Sequence, residues 1–363
     1  TTTDTLRLVI EHHLAMVQIS QRRDLDDPAV IRSFAALIRT PENLALLTLH
    51  TFADSLGTSD KIWNGFKDAL LWSLHRKTMA LLTGSTVFLR AEEKQRQLLA
   101  QGVRQLLPAT FSEEELAAHF AHLPARYFLI HPAREVLADL AQAHRFIHLQ
   151  LSDEERALEP VVDWHDEPDR GYTSVKICTW DRAGLFSKIA GSLTAAGLNI
   201  LSAQIFTRAD GIILDTFFVT DAKTGLLAKK EEREKFETVI GKALLGPVDF
   251  APLIARQKNN TPIYQSVGGE RIPTVVRFDN DISETRTVLD VETEDRVGLL
   301  FTISQVLSEL GLDISVAKIS TEKGAAIDSF YIGEMDGSKV RSVEQQKAVE
   351  RKLRAAFARL DLA

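Results

Sequence analysis

The 363-residue chain has a single cysteine, Cys178. That excludes an internal disulfide framework and fits a reducing compartment, so a cytoplasmic protein is expected, with Cys178 a small buried hydrophobe. No apolar run approaches the roughly 20 residues that cross a bilayer, so no membrane span is expected. Positive charge is not in excess either. The 43 Lys and Arg stand against 50 Asp and Glu, for a net charge of −7. The basic residues are dispersed and leave no electrostatic footprint for nucleic acid; small-molecule and protein partners are the expectation. The chain also lacks an initiator Met and the charged-then-apolar pattern of a leader. It opens Thr1-Thr2-Thr3-Asp4 and is expected to be a piece of something longer.

What is present is globular in character, with 45% hydrophobic and 26% charged residues. The length implies two to four domains. From Thr5 to about Leu151 apolar residues recur at three- and four-residue spacing, which predicts helices almost throughout. Asp27-Pro28 and Thr40-Pro41 each set an N-cap residue before a proline at the first helical position. Ser112-Glu113-Glu114-Glu115 has the form of a capping box, and Gly84 and Pro108 read as stops. Near Leu158 the period changes to two. Val161-Val162-Asp163-Trp164 and Thr173-Ser174-Val175-Lys176-Ile177-Cys178 alternate around Glu167-Pro168-Asp169-Arg170-Gly171, as a hairpin does.

Beyond that point the sequence repeats. Asp181-Arg182-Ala183-Gly184-Leu185 returns as Asp295-Arg296-Val297-Gly298-Leu299, and Gly197-Leu198-Asn199-Ile200 as Gly311-Leu312-Asp313-Ile314. Asp181 to Asp295 and Gly197 to Gly311 are both steps of 114, and Ala203-Gln204-Ile205 against Ala317-Lys318-Ile319 keeps the same step. A constant offset across three segments marks two copies of one domain. In the first copy, strand 172–180 leads through a loop into a helix with Leu185, Ile189, Leu193 and Ala196 on one face. Strands 198–207 and 211–220 follow, then a helix over 231–244. Ile272 to Phe278 would supply the fourth strand and complete β-α-β-β-α-β. The second copy reaches its last helix, around Val343 to Leu360, with no fourth strand left. Either its sheet has three strands, or another segment such as Pro160 to Trp164 fills its edge.

The repeated Asp-Arg-x-Gly-Leu loop enters a helix, where free N–H groups and a partial positive charge suit an anion. Glycine there lets a carboxylate approach the backbone, and Asn199 or Asp313, at the start of the next strand, would receive an α-amino group. An α-amino acid held between loop and strand is the ligand class expected. The loop, with its Gly-Leu-Asn/Asp-Ile strand start, resembles the ACT domain over roughly Tyr172 to Ala363. The resemblance implies effector-binding positions at Asp181, Arg182, Gly184, Leu185, Asn199 and Ile200, and at Asp295, Arg296, Gly298, Leu299, Asp313 and Ile314.

The helical half carries Glu11-His12-His13-Leu14-Ala15-Met16, Gln21-Arg22-Arg23-Asp24-Leu25-Asp26-Asp27-Pro28, Phe52-Ala53-Asp54 and Ile62-Trp63-Asn64. These segments resemble the later part of the HD-type phosphohydrolase domain of protein-PII uridylyltransferase/uridylyl-removing enzymes. Leu123-Pro124-Ala125-Arg126-Tyr127-Phe128 is similar to a stretch those enzymes carry before their ACT pair. The resemblance implies addition of UMP to the PII signalling protein when glutamine is scarce and its removal when glutamine is abundant. It also implies a divalent magnesium or manganese ion for removal, with Asp54, His13 and His12 at metal-ligating positions.

Two parts of that family's chemistry are missing. The histidine-aspartate dipeptide expected upstream of His12 is absent, and the only such dipeptide, His165-Asp166, lies in the strand-to-turn segment. Gly84-Ser85 is followed by Thr86-Val87-Phe88-Leu89 without the paired carboxylates of a nucleotidyltransferase, so UTP and UMP would be handled elsewhere in a parent protein. The expectation is an α+β chain. Residues 1–150 form an all-helical partial HD-type domain with connector helices, 158–284 a first ferredoxin-like βαββαβ ACT domain with a lead-in strand, and 285–363 a second. Its expected role is the glutamine-sensing regulatory part of a uridylyltransferase/uridylyl-removing enzyme. The alternatives are an ACT regulator of another enzyme, or a structural ACT pair without ligand.

Overall fold

The computed structural model describes residues 2–58, 63–84, 92–152, 159–257, 272–322 and 324–360. Ile62, the stretch from Ser85 to Leu89, and the last three positions of the second copy therefore lie outside the described residues. No described helix is long and apolar enough to cross a membrane.

Five helices open the chain: α1 (Thr2–His12), α2 (Ala15–Arg22), α3 (Pro28–Ile38), α4 (Pro41–Thr58) and α5 (Gly65–Leu82). The predicted caps explain where they start. The Asp27 carboxylate accepts from Ala29 N, and Thr40 Oγ1 accepts from Asn43 N. Met16, Ile31, Phe34, Leu44, Leu47, Leu71 and Leu74 meet in one core. Burial of each such side chain is worth about 1.5–3 kcal/mol. The connector helices follow: α6 (Glu92–Leu106), α7 (Glu113–His122), α8 (Ala125–Ile130) and α9 (Ala133–Ser152). The capping box of α7 is complete, with Ser112 Oγ accepting from Glu115 N and the Glu115 carboxylate accepting from Ser112 N.

The remainder is one continuous antiparallel sheet with helices on it. In chain order come β1 (Val161–Glu167), β2 (Tyr172–Trp180), α10 (Leu185–Ala196), β3 (Leu198–Gln204), β4 (Ile212–Asp221), α11 (Lys230–Leu245) and the short α12 (Ala251–Ala255). The second set is β5 (Val275–Asp279), β6 (Thr287–Glu294), α13 (Leu299–Glu309), β7 (Leu312–Lys318), β8 (Thr321–Glu322), β9 (Ala325–Glu334) and α14 (Val343–Leu360). The strand order is β1-β2-β4-β3-β7-β9-β6-β5, with β8 on β9. Each copy is thus a four-stranded sheet, and the two join edge to edge through β3 and β7.

That seam has a pseudo-two-fold axis. Ala203 and Ala317, which are equivalent residues of the repeat, face each other in the register. On either side of them, Ile205 N donates to Ser315 O and Ile319 N to Leu201 O, both at 3.1 Å, again equivalent residues exchanging roles. Helices α10 and α13 pack side by side over the seam.

The edge strands correct the expected assignment. The 275–279 strand does not complete the first copy; it pairs with β6 of the second, Val275 opposite Glu292. The 161–167 strand completes the first copy instead, with Val161 opposite Cys178. The boundary at 284/285 therefore moves ahead of Val275, and each copy runs β-β-α-β-β-α. The place of the trailing strand in βαββαβ is taken by a strand preceding the first. Alternation identifies a strand but not its neighbour, which is why the sequence assigned 272–278 to the first copy and offered 160–164 to the second, the reverse of what is found.

Side chains alternate between two cores. Val175, Ile177, Ile213 and Phe217 pack under α10, α11, α13 and α14 with their second-copy counterparts Leu289, Val291 and Phe330. Cys178, Phe206, Ile212 and Leu214 point to the opposite face, against Tyr127, Phe128, Val136 and Phe146 of the connector. The buried Cys178 is the expected small hydrophobe, its thiol pushed up by burial. The result is three layers: connector helices, sheet and the helices of the two copies.

The segment from Gln21 to Pro28 fastens the first helices to the second copy. Arg23 grips Asp290 of β6 with both arms of its guanidinium, at 2.7 and 3.0 Å. The backbone N–H of Asp24 donates to the Tyr331 hydroxyl at 2.7 Å, and the Asp24 carboxylate accepts from Arg126 at 2.7 Å. Lys318 of β7 is buried beside Asp24 and Asp26.

Candidate effector site at the seam

The two repeated motifs of one copy do not meet each other; they meet those of the other copy. A cavity of about 220 Å³ lies at the seam. Leu198, Asn199 and Ile200 of the first copy line one side, and Asp295, Arg296, Val297, Gly298 and Leu299 of the second line the other. The pseudo-two-fold explains this arrangement, because antiparallel β3 and β7 carry the start of each strand past the loop of the neighbouring copy.

The loop geometry follows from its glycine. Gly298 is the residue before α13, with φ +87°, a left-handed conformation that disfavours a side chain. A Cβ placed there would stand 2.9 Å from Ile254 Cγ2 of α12. The first turn of α13 thus opens toward the cavity with small atoms in front of it. Leu299 N reaches back to Arg296 O at 3.0 Å and tightens the turn.

Carboxyl groups floor the cavity. Asp328 of β9 is buried and accepts from Ser320 N at 3.3 Å; burial, then the neighbouring Asp295, pushes its pKa well above the usual carboxylate range. Burial also raises Asp295, which accepts from Thr321 Oγ1 at 3.2 Å. Both shifts favour neutral acids, so the floor repels an incoming carboxylate less than the charge count suggests. Asp221 differs. Burial would raise it, but Lys229 and the backbone N–H groups of Lys223 and Thr224 hold it below its ordinary value.

The pseudo-equivalent junction gathers Asp181, Asp215 and Asp313. Asp215 is buried and raised, chiefly by burial, with Asp181 and Asp313 adding to the shift. Arg286 approaches Asp313 at 3.5 Å. Gly184 adopts φ +72° ahead of α10, as Gly298 does ahead of α13. Arg182, however, turns away from ligand work: its Nη1 donates to Leu244 O at 2.8 Å, closing the C-terminal turn of α11, as Lys188 Nζ does on Ala243 O at 2.9 Å. Leu185, Leu299, Ile200 and Ile314 are core residues behind the loops and strands.

Sequence reasoning missed α12. Phe250 packs against Phe301 at a tilt, with ring centroids 5.2 Å apart, Ile254 sits against Gly298, and Gln257 lines the cavity while donating to Ala195 O at 2.9 Å. A five-residue helix carries no periodicity strong enough to have announced it.

The proposed metal positions behave differently. His13 lies after α1, its Nδ1 2.8 Å from Ile10 O, and its ring is 6.3 Å from that of His50. Asp54 lies one turn beyond His50 on α4 and is exposed. Among the described residues, His12, His13 and Asp54 do not bring three ligand atoms together; the group that does is Glu115, His144 and His148. The three sequence-named residues alone therefore do not fit a closed magnesium or manganese site. His165-Asp166 has a structural role, Asp166 accepting from Arg233 and Thr173.

Comparison with known proteins agrees with this architecture. The family model "ACT domain" matches residues 173–236, and "ACR9-like, ACT-like domain" matches 275–360. The bifunctional uridylyltransferase/uridylyl-removing enzyme of Azospirillum brasilense is 34% identical over 98% of this chain and 37% of its own length. Those of Rhodospirillum rubrum and Gluconobacter oxydans are 30% and 32% identical, over 98% and 93% of this chain and 37% and 35% of theirs. No solved structure matches. The chain spans a little over a third of the length of these relatives. Along nearly all of its length, then, the chain is similar to part of the bifunctional uridylyltransferase/uridylyl-removing enzymes, and it contains two ACT domains.

Proposed function

We propose that this chain is the regulatory part of a uridylyltransferase/uridylyl-removing enzyme. It would sense glutamine at the seam and thereby control UMP addition to, and UMP removal from, the PII signalling protein. One observation carries the reading: a cavity of about 220 Å³ with the Asn199 strand start of one copy on one wall and the Gly298 helix entrance of the other opposite. That volume lies below the roughly 300–1,000 Å³ of drug-sized pockets and suits an amino acid rather than a nucleotide. The α-carboxylate would lie on the first turn of α13 and the α-ammonium group by Asn199. Strand β9 runs from Asp328 in this cavity to Tyr331, and β7 ends beside the cavity at Lys318; the Gln21 to Pro28 segment of the helical region is fastened at both. Ordering the seam would thus be felt by those helices. The magnesium or manganese of UMP removal would need donors besides His12, His13 and Asp54.

Calorimetric titration with glutamine tests the proposal. Saturable heat is expected from the unaltered chain, weakened at least tenfold by Asn199→Ala and abolished by Gly298→Val. Asn199 is exposed, so its variant keeps the test valid should Gly298→Val fold poorly. In the full-length enzyme, Asn199→Ala should leave UMP addition to PII insensitive to glutamine. Heat with a different amino acid alone would refute glutamine as effector, and silence with every amino acid would make the ACT pair purely structural.

A further inference from the structure

Away from the seam, two connector helices bring three metal-ligating side chains together. His144 and His148 stand one turn apart on α9, their ring centroids 4.1 Å from each other. Glu115 of α7 faces them, its Oε1 2.6 Å from His144 Nδ1. One ligand atom from each of the three lies within 4.8 Å of the others.

Two of the three are held in place before any ion arrives. The capping box fixes Glu115, whose second oxygen accepts from Ser112 N at 3.0 Å, leaving Oε1 turned toward the histidines. His144 is braced edge-on by Phe111, with ring centroids 5.0 Å apart. An outer hydrogen bond that orients a ligating carboxylate, and packing that fixes a ligating imidazole, are what a metal site needs around its ligands. His148 is on the exposed side. Bonds of about 2.0–2.2 Å set a donor spacing of roughly 3.3–3.5 Å, so an ion would draw the His148 ring inward and part Glu115 Oε1 from His144 Nδ1, now 2.6 Å apart.

We propose that Glu115, His144 and His148 bind one divalent ion of the zinc class, tying α7 to α9. Two borderline imidazoles beside a single hard carboxylate make a nitrogen-rich set, which favours zinc, cobalt or nickel over magnesium or calcium. Three protein ligands leave a fourth position for water. The ion would replace the Glu115–His144 hydrogen bond as the link between the helices. Because α9 lies across β1, β2 and β4, it would stiffen the cover over the first copy's sheet.

The test is titration of the whole chain, stripped with a chelator, first with Zn²⁺ and then with Co²⁺ as a spectroscopic probe. One ion per chain is expected, with intense tetrahedral-type visible absorption for cobalt and a Zn²⁺-dependent rise in melting temperature. His148→Ala, at an exposed position, should leave the chelator-treated melting temperature unchanged, lower Zn²⁺ affinity at least tenfold and remove the melting shift. Glu115→Gln keeps the capping box and should weaken binding similarly. Absence of saturable Zn²⁺ binding, or binding that His148→Ala and Glu115→Gln leave unaltered, would overturn the proposal.

Discussion

His119 is enclosed between α7 and the turn joining β3 to β4, with Arg208 Nη1 3.2 Å from its Nδ1. Burial, and secondarily the Arg208 charge, push its pKa down to about 3. A histidine whose folded pKa is depressed binds its proton more readily when unfolded. Stability is therefore intact above about pH 6.5 and drains as pH falls toward 3, with a slope near 1.4 kcal/mol per pH unit for one proton. Denaturant midpoints measured from pH 7 to pH 4 should show this slope, and His119→Gln should flatten it. Asp328 carries the opposite sign, since a raised carboxyl pKa favours the folded state only below the unfolded value and loses that contribution as pH rises. Asp328→Asn should raise the melting temperature at pH 8 and leave it unchanged near pH 4; a drop at pH 8 would show that the carboxylate is the form required. At this scale the sequence was legible where chemistry is local. The Ser112 capping box and the Gly298 turn declare themselves within five residues. The convergence of Glu115 on His144, 29 positions away, and the use of Arg182 as a helix closure do not, because nothing near them in the chain encodes the partner.

Elements show the same division. The sequence was enough to place a strand over 272–278, observed at 275–279, yet it said nothing reliable about its neighbour. The choice falls to pairing register, which sets Val276 and Phe278 opposite Val291 and Leu289 of the second copy. Helix α12 was invisible, and its removal is a sharp test of its role at the seam. Phe250→Ala should cost about 3 kcal/mol or more, and by loosening Ile254 and Gln257 it should also weaken effector binding. A stability loss with affinity intact would make α12 a packing element only. The Arg23–Asp290 pair links helical region to sheet, with both side chains less than a third exposed. Arg23→Ala leaves Asp290 half-desolvated and should cost about 1–3 kcal/mol. Amide exchange in α2 and in the 23–27 segment should quicken in this variant while β3 and β7 keep their protection.

For the molecule as a whole, one apolar core runs beneath both copies, from Val175 and Phe217 through Leu300 and Ile303 to Phe330 and Leu353. Neither copy closes its core alone, so residues 161–360 should unfold in a single calorimetric transition. Two resolved transitions for the copies would contradict the shared core. The repeat of 114 residues forecast two copies, but not that the axis between them would pass through its own equivalent alanines, because symmetry is a property of the pairing and not of either sequence. The direct opposition of Ala203 and Ala317 has a further consequence. A pocket assembled from two free modules would fall apart on dilution, and its affinity for a ligand would follow the amount of protein present. Tethered in one polypeptide, the halves meet at an effective concentration on the order of millimolar. Under the proposed function, the reading of the effector level would thereby be insulated from how much of the protein is made.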